Sequence, residues 1–282
     1  MAVAELREAV GLLFRMPLLW IPGVIGGLFA AVLWLTLFVS DGFYTGRLFI
    51  LFALVIIFLV TGMYANIRTD SMTIRGLAEG GLKYYFRVLL PHIVLGFVLL
   101  LVFILCTVVF SLLGLASDIG MITALTFGIL IPTLMLTFFF DTAAVFEDRK
   151  VFESLQRSIL LVSENMMDVI SFFLVAAFVS FSVIFGLMIV WEAFLFDKLK
   201  PIMDFTEAQR EAFTPDQLLS MIGQDGIWVT AAVIFIGVLI LLPVLFSYKA
   251  CFYRKMAVAG GTSPGGQPAY GEYDSKGRWY KY

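Results

Sequence analysis

Six long apolar runs, separated by shorter polar segments, dominate the chain. A bilayer core of about 30 Å requires about 20 consecutive apolar residues in a helix. Apart from His92 near the start of the third run, these runs contain no Asp, Glu, Lys, Arg or His. The pattern predicts six transmembrane helices, at about 18–40, 48–65, 88–113, 119–140, 169–191 and 227–248.

The segments that precede the first, third and fifth spans are amphipathic. Before the third span, for example, Leu77, Leu82 and Phe86 recur at helical spacing beside Lys83 and Arg87. Such stripes are typical of helices that lie in the headgroup plane of a membrane. We therefore expect three hairpins of transmembrane helices, each preceded by a cytoplasmic interfacial helix, as pseudo-repeats at about 1–66, 67–143 and 144–254.

The composition supports an all-α, polytopic membrane domain over residues 1–256. Hydrophobic residues make up 61% of the 282 residues, charged residues only 14%, and the mean hydropathy is +0.98. Soluble domains contain about 45–50% apolar and about 25% charged residues. The composition excludes a cytosolic enzyme, a nucleic-acid-binding protein and a secreted domain held together by disulfides.

The distribution of basic residues predicts the orientation. Fifteen of the 19 Lys and Arg residues lie on the side that carries both termini, and four lie on the other side. Because basic residues are enriched on the cytoplasmic side, we expect a multi-pass protein of the cell membrane with cytoplasmic N- and C-termini. The long outer connection, 192–226, contains seven acidic and three basic residues, which indicates a solvated acidic cap.

The sequence contains no metal-ligand cluster, nucleotide-binding loop or nucleophile elbow. We therefore predict that the protein is not an enzyme and has no cofactor. No acidic residue lies inside a span, and the acids that border the spans sit at their ends. Asp141 and Asp168, at the inner ends of spans four and five, are the best functional candidates. Capping or contact with the membrane interface is the structural alternative for both.

The C-terminal composition changes abruptly after the sixth span. Residues 257–268 are rich in Gly, Ser and Pro and predict a flexible linker. Residues 269–282 form an aromatic and basic tail with a β-hairpin pattern around Asp274–Gly277. Trp279, Tyr280 and Tyr282 are its candidate functional residues. Docking on a partner or on the protein itself, contact with headgroups, and disorder all remain open as interpretations.

Two segments resemble an uncharacterised group of prokaryotic six-span proteins. They are Glu5–Pro17, which leads into a Gly-rich span, and Phe146–Asn165. This group is related to the membrane domain of some glycerophosphoryl diester phosphodiesterases and has many stand-alone archaeal members. The resemblance covers about 1–256 and implies a helical membrane domain. It does not carry over the hydrolase activity, because the chain has no room for the soluble phosphodiesterase barrel.

These features favour a non-enzymatic membrane scaffold that organises lipids or partner proteins. Its expected partners are membrane lipids and a protein that binds the tail, and not nucleic acid. The alternative function is a permease or channel for an uncharged or lipid-like substrate, because Pro22, Pro132 and Pro243 lie within spans and would kink them.

Overall fold

The computed structural model is built almost entirely of helices. It describes residues 2–39, 42–70, 73–112, 119–203, 205–207, 209, 213–259, 271–273 and 279–281. In chain order the elements are α1 (Ala2–Arg15), a 3₁₀ turn (Pro17–Trp20), α2 (Ile21–Val39), α3 (Gly42–Thr69), α4 (Ile74–Leu112), α5 (Ile119–Thr137), α6 (Phe140–Phe146), α7 (Val151–Glu164), α8 (Met166–Met203), α9 (Pro215–Ala259), β1 (Gly271–Tyr273) and β2 (Trp279–Lys281).

Within the part of the chain that the structure describes, six helical stretches are long and apolar enough to cross a membrane, which confirms the predicted all-α class and the number of spans. Several helices are longer than the predicted spans. Helix α4 has 39 residues, or about 58 Å at 1.5 Å per residue, so it extends well beyond a hydrocarbon core of about 30 Å. The six stretches are Pro17–Phe38, Phe43–Thr69, Ile74–Leu112, Thr126–Phe146, Met166–Ile202 and Gln217–Ala257.

The three amphipathic segments adopt two different arrangements. Helices α1 and α7, of 14 residues each, are separate from the spans that follow them. The segment around Leu77–Arg87 is instead the first part of α4, which continues through Pro91. Helix α1 ends where Pro17 begins the 3₁₀ turn, because the residue before a proline disfavours the helical conformation; Met16 accordingly has φ −125° and ψ 78°.

The chain divides into two compact units. Unit 1 comprises Met1–Ala9, Ile57–Phe172 and Ser247–Tyr282, and unit 2 comprises Val10–Ile56 and Phe173–Phe246. The core of unit 1 contains large buried side chains at its helix crossings, among them Tyr64, Phe139 and Phe172. Phe172 packs on Tyr248 with ring centroids 4.5 Å apart. This aromatic core surrounds the polar groups that are described below.

Close helix packing and a helix break characterise unit 2. A Cβ atom at Gly23 would lie 2.5 Å from the Leu239 carbonyl oxygen, so α2 and α9 approach each other as only glycine allows. Within α9, Gly223 has φ +62° and ψ −166°, a conformation that is essentially restricted to glycine. Lys198 Nζ donates to the Ile222 carbonyl oxygen at 2.8 Å and thereby satisfies an acceptor that the break exposes.

The predicted acidic cap, 192–226, is mostly helical. Helix α8 continues to Met203, and α9 begins at Pro215. The Gln217 side chain accepts a hydrogen bond from the Thr214 backbone N–H at 2.9 Å, which is the capping pattern expected from that sequence. The sequence Asp204–Glu207 has a similar capping pattern, which predicts another helix start, but Asp204 lies outside the described residues.

The backbone of the tail contains a short two-stranded ladder. Strands β1 and β2 pair antiparallel, with Glu272 opposite Tyr280. The connecting residues 274–278, which include the expected turn, lie outside the described part of the chain, as do residues 260–270.

Candidate functional site

Helix α6 is the element around which the polar residues of unit 1 gather. All seven of its residues, Phe140–Phe146, are buried, although it contains Asp141 and Thr142. A charged side chain at the end of an apolar span requires a partner, because the loss of hydration is costly. The surrounding helices supply that partner.

Asp141 forms a buried ion pair with Lys249 of α9. Lys249 Nζ donates to Asp141 Oδ2 at 2.8 Å, and the two side chains are only 7% and 8% exposed. The Tyr64 hydroxyl of α3 also donates to Oδ2, at 3.4 Å, and the Thr142 backbone N–H donates to Oδ1 at 2.6 Å. Lys249 Nζ also lies 4.0 Å from the centroid of the Phe138 ring. The carboxylate thus has three donors.

Glu147 is the second buried acid, just beyond α6. Its side chain is 2% exposed. Its Oε1 accepts hydrogen bonds from Tyr253 Oη at 2.6 Å and from Arg157 Nε of α7 at 3.0 Å. Arg149 contacts Oε2 at 3.2 Å. Two cations and a phenol therefore face this carboxylate.

The charge of Arg157 is maintained by its partner. Partial burial lowers the pKa of the Arg157 guanidinium, whereas the hydrogen bond to Glu147 and the negative charge of Glu147 raise it, and the net shift is upward. The Arg157 guanidinium therefore remains a cation at physiological pH.

One turn of α9 serves both acids. Lys249 and Tyr253 are four residues apart, so they lie on the same face of the helix; the first binds Asp141 and the second binds Glu147. We call these five residues, Asp141, Glu147, Arg157, Lys249 and Tyr253, the unit 1 ion-pair network.

The next turn of α9 pairs with α1 through Glu5–Lys255 and Glu8–Arg254. Glu5 is only 1% exposed. The two ends of the 1–256 domain are thus fastened to each other within unit 1.

Helices α3 and α4 contact the link between α6 and α7. Arg68 Nη1 donates to the Val145 carbonyl oxygen at 2.8 Å and contacts the Tyr84 hydroxyl at 2.9 Å. Arg87 Nη1 donates to Asp148 Oδ1 at 2.7 Å. Segments from all three predicted pseudo-repeats therefore contribute side chains to the polar contacts of unit 1.

Of the candidate residues whose side chains the structure describes, Asp141 lies in the ion-pair network and Asp168 does not. Asp141 is at the centre of the network, whereas Asp168 lies in the first turn of α8 and is partly exposed. Trp279 and Tyr280 belong to β2, of which only the backbone is described, and Tyr282 lies outside the described residues.

Sequence reasoning missed Lys249, Glu147 and Tyr253. Lys249 follows the last apolar run, so the sequence pattern counts it among the basic residues on the side of the termini. A signal was present, since Lys249 is flanked on both sides by small and aromatic residues, from Ser247 to Tyr253. Such continuity indicates that the buried face of the span extends past the lysine.

The network holds its charges in pairs. A carboxylate between cations and a phenol is suited to joining helices, and its oxygens are occupied by donors within the protein. Among the described residues, no group of three or more His, Cys, Asp and Glu side chains could hold a metal ion. Cys106 and Cys251 are free thiols.

No curated protein and no solved structure matches the chain. One family model does match, described as a domain of unknown function, DUF7847, and the match extends over residues 1–256. The matched region ends at the last turns of α9, so it includes every residue of the ion-pair network and stops before the linker and the tail. The chain belongs to the DUF7847 family of domains of unknown function.

Proposed function

We propose that the protein is a non-enzymatic membrane scaffold whose unit 1 forms a fixed platform for the C-terminal tail. The observation that carries the proposal is the double attachment of the last turns of α9. Lys249 and Tyr253 bind Asp141 of α6 and Glu147 just beyond it, and Arg254 and Lys255 bind α1. The tail begins at residue 269, after the linker 257–268. A peptide that follows such an anchored helix has a fixed origin, which favours docking over free diffusion.

The arrangement of charges supports a structural role for the network. General acid–base catalysis requires a group that can reach a proton on a substrate. Asp141 and Glu147 are instead buried, and each accepts hydrogen bonds from donors of neighbouring helices. We infer that they stabilise the helix arrangement.

The proposal also includes the orientation of the protein in the membrane and its cellular location. Unit 1 would face the cytoplasm of a cell membrane, because 15 of the 19 basic residues lie on the side of the termini. Membrane lipids and a cytoplasmic protein bound to the tail would be its partners. A distant relationship to the membrane domain of glycerophosphoryl diester phosphodiesterases belongs to this proposal as well.

A quantitative capture experiment with the full chain tests the docking role. Three variants are compared with the native protein in the same membranes: deletion of 260–282, the triple substitution Trp279→Ala/Tyr280→Ala/Tyr282→Ala, and a scrambled linker 260–268. We expect the deletion and the triple substitution to lose the same cross-linked partner, and the scrambled linker to retain it. Identical partner sets for all four proteins would overturn the docking role.

A second candidate function is transport of a lipid-like molecule. Unit 2 contains a cavity of about 450 Å³ that is lined mainly by apolar side chains, including Trp191, Phe196, Ile202 and Phe213. Ligand pockets of about 300–1,000 Å³ are typically apolar with a few polar groups, and Glu192 is the charged residue in the described part of this lining. Reconstituted liposomes that move fluorescent lipid analogues, with loss of the movement in Phe196→Trp, would favour this function over the scaffold.

A further inference from the structure

A basic cavity lies in unit 1 where α3 ends and α4 begins. Its volume is about 520 Å³, and its lining includes Asn66, Arg68, Thr69, Arg75, Lys83 and Tyr84. Among the lining residues that the structure describes, Glu79 is the one acid. Three cations against one carboxylate leave an excess positive charge, in a space large enough for a small polar ligand.

The cavity is held open by hydrogen bonds that fix its walls. Asn66 Nδ2 donates to the Thr73 carbonyl oxygen at 3.2 Å, and the Thr73 hydroxyl accepts from the Gly76 backbone N–H at 2.9 Å. Arg68 is fixed by the Val145 carbonyl oxygen and the Tyr84 hydroxyl. Preorganised donors bind an anion at a lower entropic cost.

The remaining cations are exposed and available. Arg75 pairs with Glu79 at 2.6 Å, and both side chains are largely solvent-accessible. Lys83 Nζ lies 3.8 Å from Asp148 and 4.8 Å from the centroid of the Tyr84 ring. These contacts position the cations but are weak because they are exposed, so a phosphate group can compete for them.

The surroundings of the cavity indicate that the anion belongs to a lipid. The cavity lies at the adjoining ends of two membrane-spanning stretches, Phe43–Thr69 and Ile74–Leu112. Ile74, Leu82 and Phe86, on the same part of α4, are exposed apolar side chains. A basic pocket at the membrane interface beside exposed apolar side chains matches an anionic headgroup together with its acyl chains.

We propose that this cavity binds the phosphate of an anionic phospholipid, through Arg68, Arg75 and Lys83. The inference deepens the proposed scaffold function, on which it rests, by naming the class of lipid that the protein organises. Glu79 moderates the affinity because it competes with the phosphate for Arg75.

Native mass spectrometry of the detergent-solubilised full chain tests the site. The protein is titrated with phosphatidylglycerol and with phosphatidylcholine of the same acyl chains. We expect tighter binding of phosphatidylglycerol, and a loss of roughly tenfold or more in that affinity for Arg75→Gln/Lys83→Gln, since two interfacial cations are removed. Glu79→Gln is expected to bind it more tightly than the native protein.

The matched control is Arg7→Gln/Arg15→Gln, which removes two exposed cations outside the cavity. It is expected to bind phosphatidylglycerol within twofold of the native affinity. Equal affinity for the two lipids, an unchanged affinity in Arg75→Gln/Lys83→Gln, or an equal loss in the control would overturn the proposal.

Inorganic phosphate and glycerol phosphate are added as competitors to separate a lipid from a soluble anion. We expect the lipid to remain bound at competitor concentrations far above that of the lipid. Displacement at equal concentration would assign the cavity to a free phosphate and overturn the lipid site. The purified protein is measured without a partner, so this assay is independent of the capture experiment. If the protein does not prefer phosphatidylglycerol over phosphatidylcholine but still captures the tail-dependent partner, the lipid site alone is refuted.

Discussion

The ion-pair network of unit 1 buries charged side chains, whereas the middle of α8 exposes apolar side chains. Asp141 and Lys249 are 5% and 6% exposed, whereas none of the most apolar stretch of the span Met166–Ile202 is buried within the protein. In water the reverse distribution would be expected. The contrast shows what a lipid solvent changes: apolar side chains can remain outside, and polar groups are buried where the protein supplies their partners.

Helix α8 contains the same contrast within two turns. Phe172 is 2% exposed and packs against the Tyr248 and Phe252 rings at centroid distances of 4.5 and 4.8 Å. Phe178 is 72% exposed. Both residues are phenylalanine, so a difference between the stability costs of truncating them depends on their surroundings.

Lys249→Met is expected to cause the largest loss of stability, because it leaves the Asp141 carboxylate buried without its cation. Removal of one partner of a buried ion pair costs about 3–5 kcal/mol. Unfolding by sodium dodecyl sulfate in mixed micelles, followed by tryptophan fluorescence, measures the loss. The control Lys200→Met removes an exposed lysine of α8 and should change stability by less than about 0.5 kcal/mol. Equal effects of the two substitutions would contradict the contrast.

Phe172→Ala should rank next. Truncation of a buried phenylalanine costs about 3–5 kcal/mol because a cavity remains, with the lower end expected where neighbouring aromatic rings relax. Phe178→Ala removes a side chain that faces outward and leaves no cavity within the protein, so it should lower the free energy of unfolding by less than about 1 kcal/mol. The same micelle assay compares the two, and a Phe178→Ala cost as large as that of Phe172→Ala would mean that α8 is covered by protein in the membrane.

Asp148→Asn should have the smallest effect. Its ion pair with Arg87 is about as short as the Asp141–Lys249 pair, 2.7 Å against 2.8 Å. However, the Asp148 side chain is 47% exposed and the Arg87 side chain 34% exposed. Partly exposed pairs contribute about 0–1 kcal/mol and are screened by salt. We expect the cost to decrease as salt rises from about 0.05 to about 0.5 M, because the Debye length shortens roughly threefold. A loss comparable to that of Lys249→Met would show that exposure does not set the strength of these pairs.

The sequence pattern predicts the spans well and the buried network poorly. Apolar runs determine which segments cross the membrane, and Asp141 was identifiable because it ends such a run. Its position after the sixth run places Lys249 among the basic residues on the side of the termini, since a lysine at a span end usually reaches the interface. The pairing depends on α6 and α9 lying together, although Asp141 and Lys249 are 108 residues apart. No local periodicity contains that information.

The helix boundaries show the same limit. The amphipathic pattern between Leu77 and Arg87 predicted a separate interfacial helix, but the segment is the first part of α4. The helix continues through the Gly80–Gly81 pair, where the absence of side chains allows α4 to lie close to Ala65 and Phe58 of α3. Pro91 is accommodated within that helix, as membrane helices often allow. The separation of α1 from the first span, by contrast, follows from Pro17, which is visible in the sequence.

The most direct measurement is made on the triple variant Asp141→Val/Lys249→Met/Tyr64→Phe, which replaces the charged centre by apolar groups. Such replacements are often neutral for stability. If the network only holds helices together, the variant should recover most of the stability lost in Lys249→Met and should capture the tail-dependent partner at the native level. A stable, folded variant that no longer captures the partner would contradict a structural role and assign the charges a direct part in function.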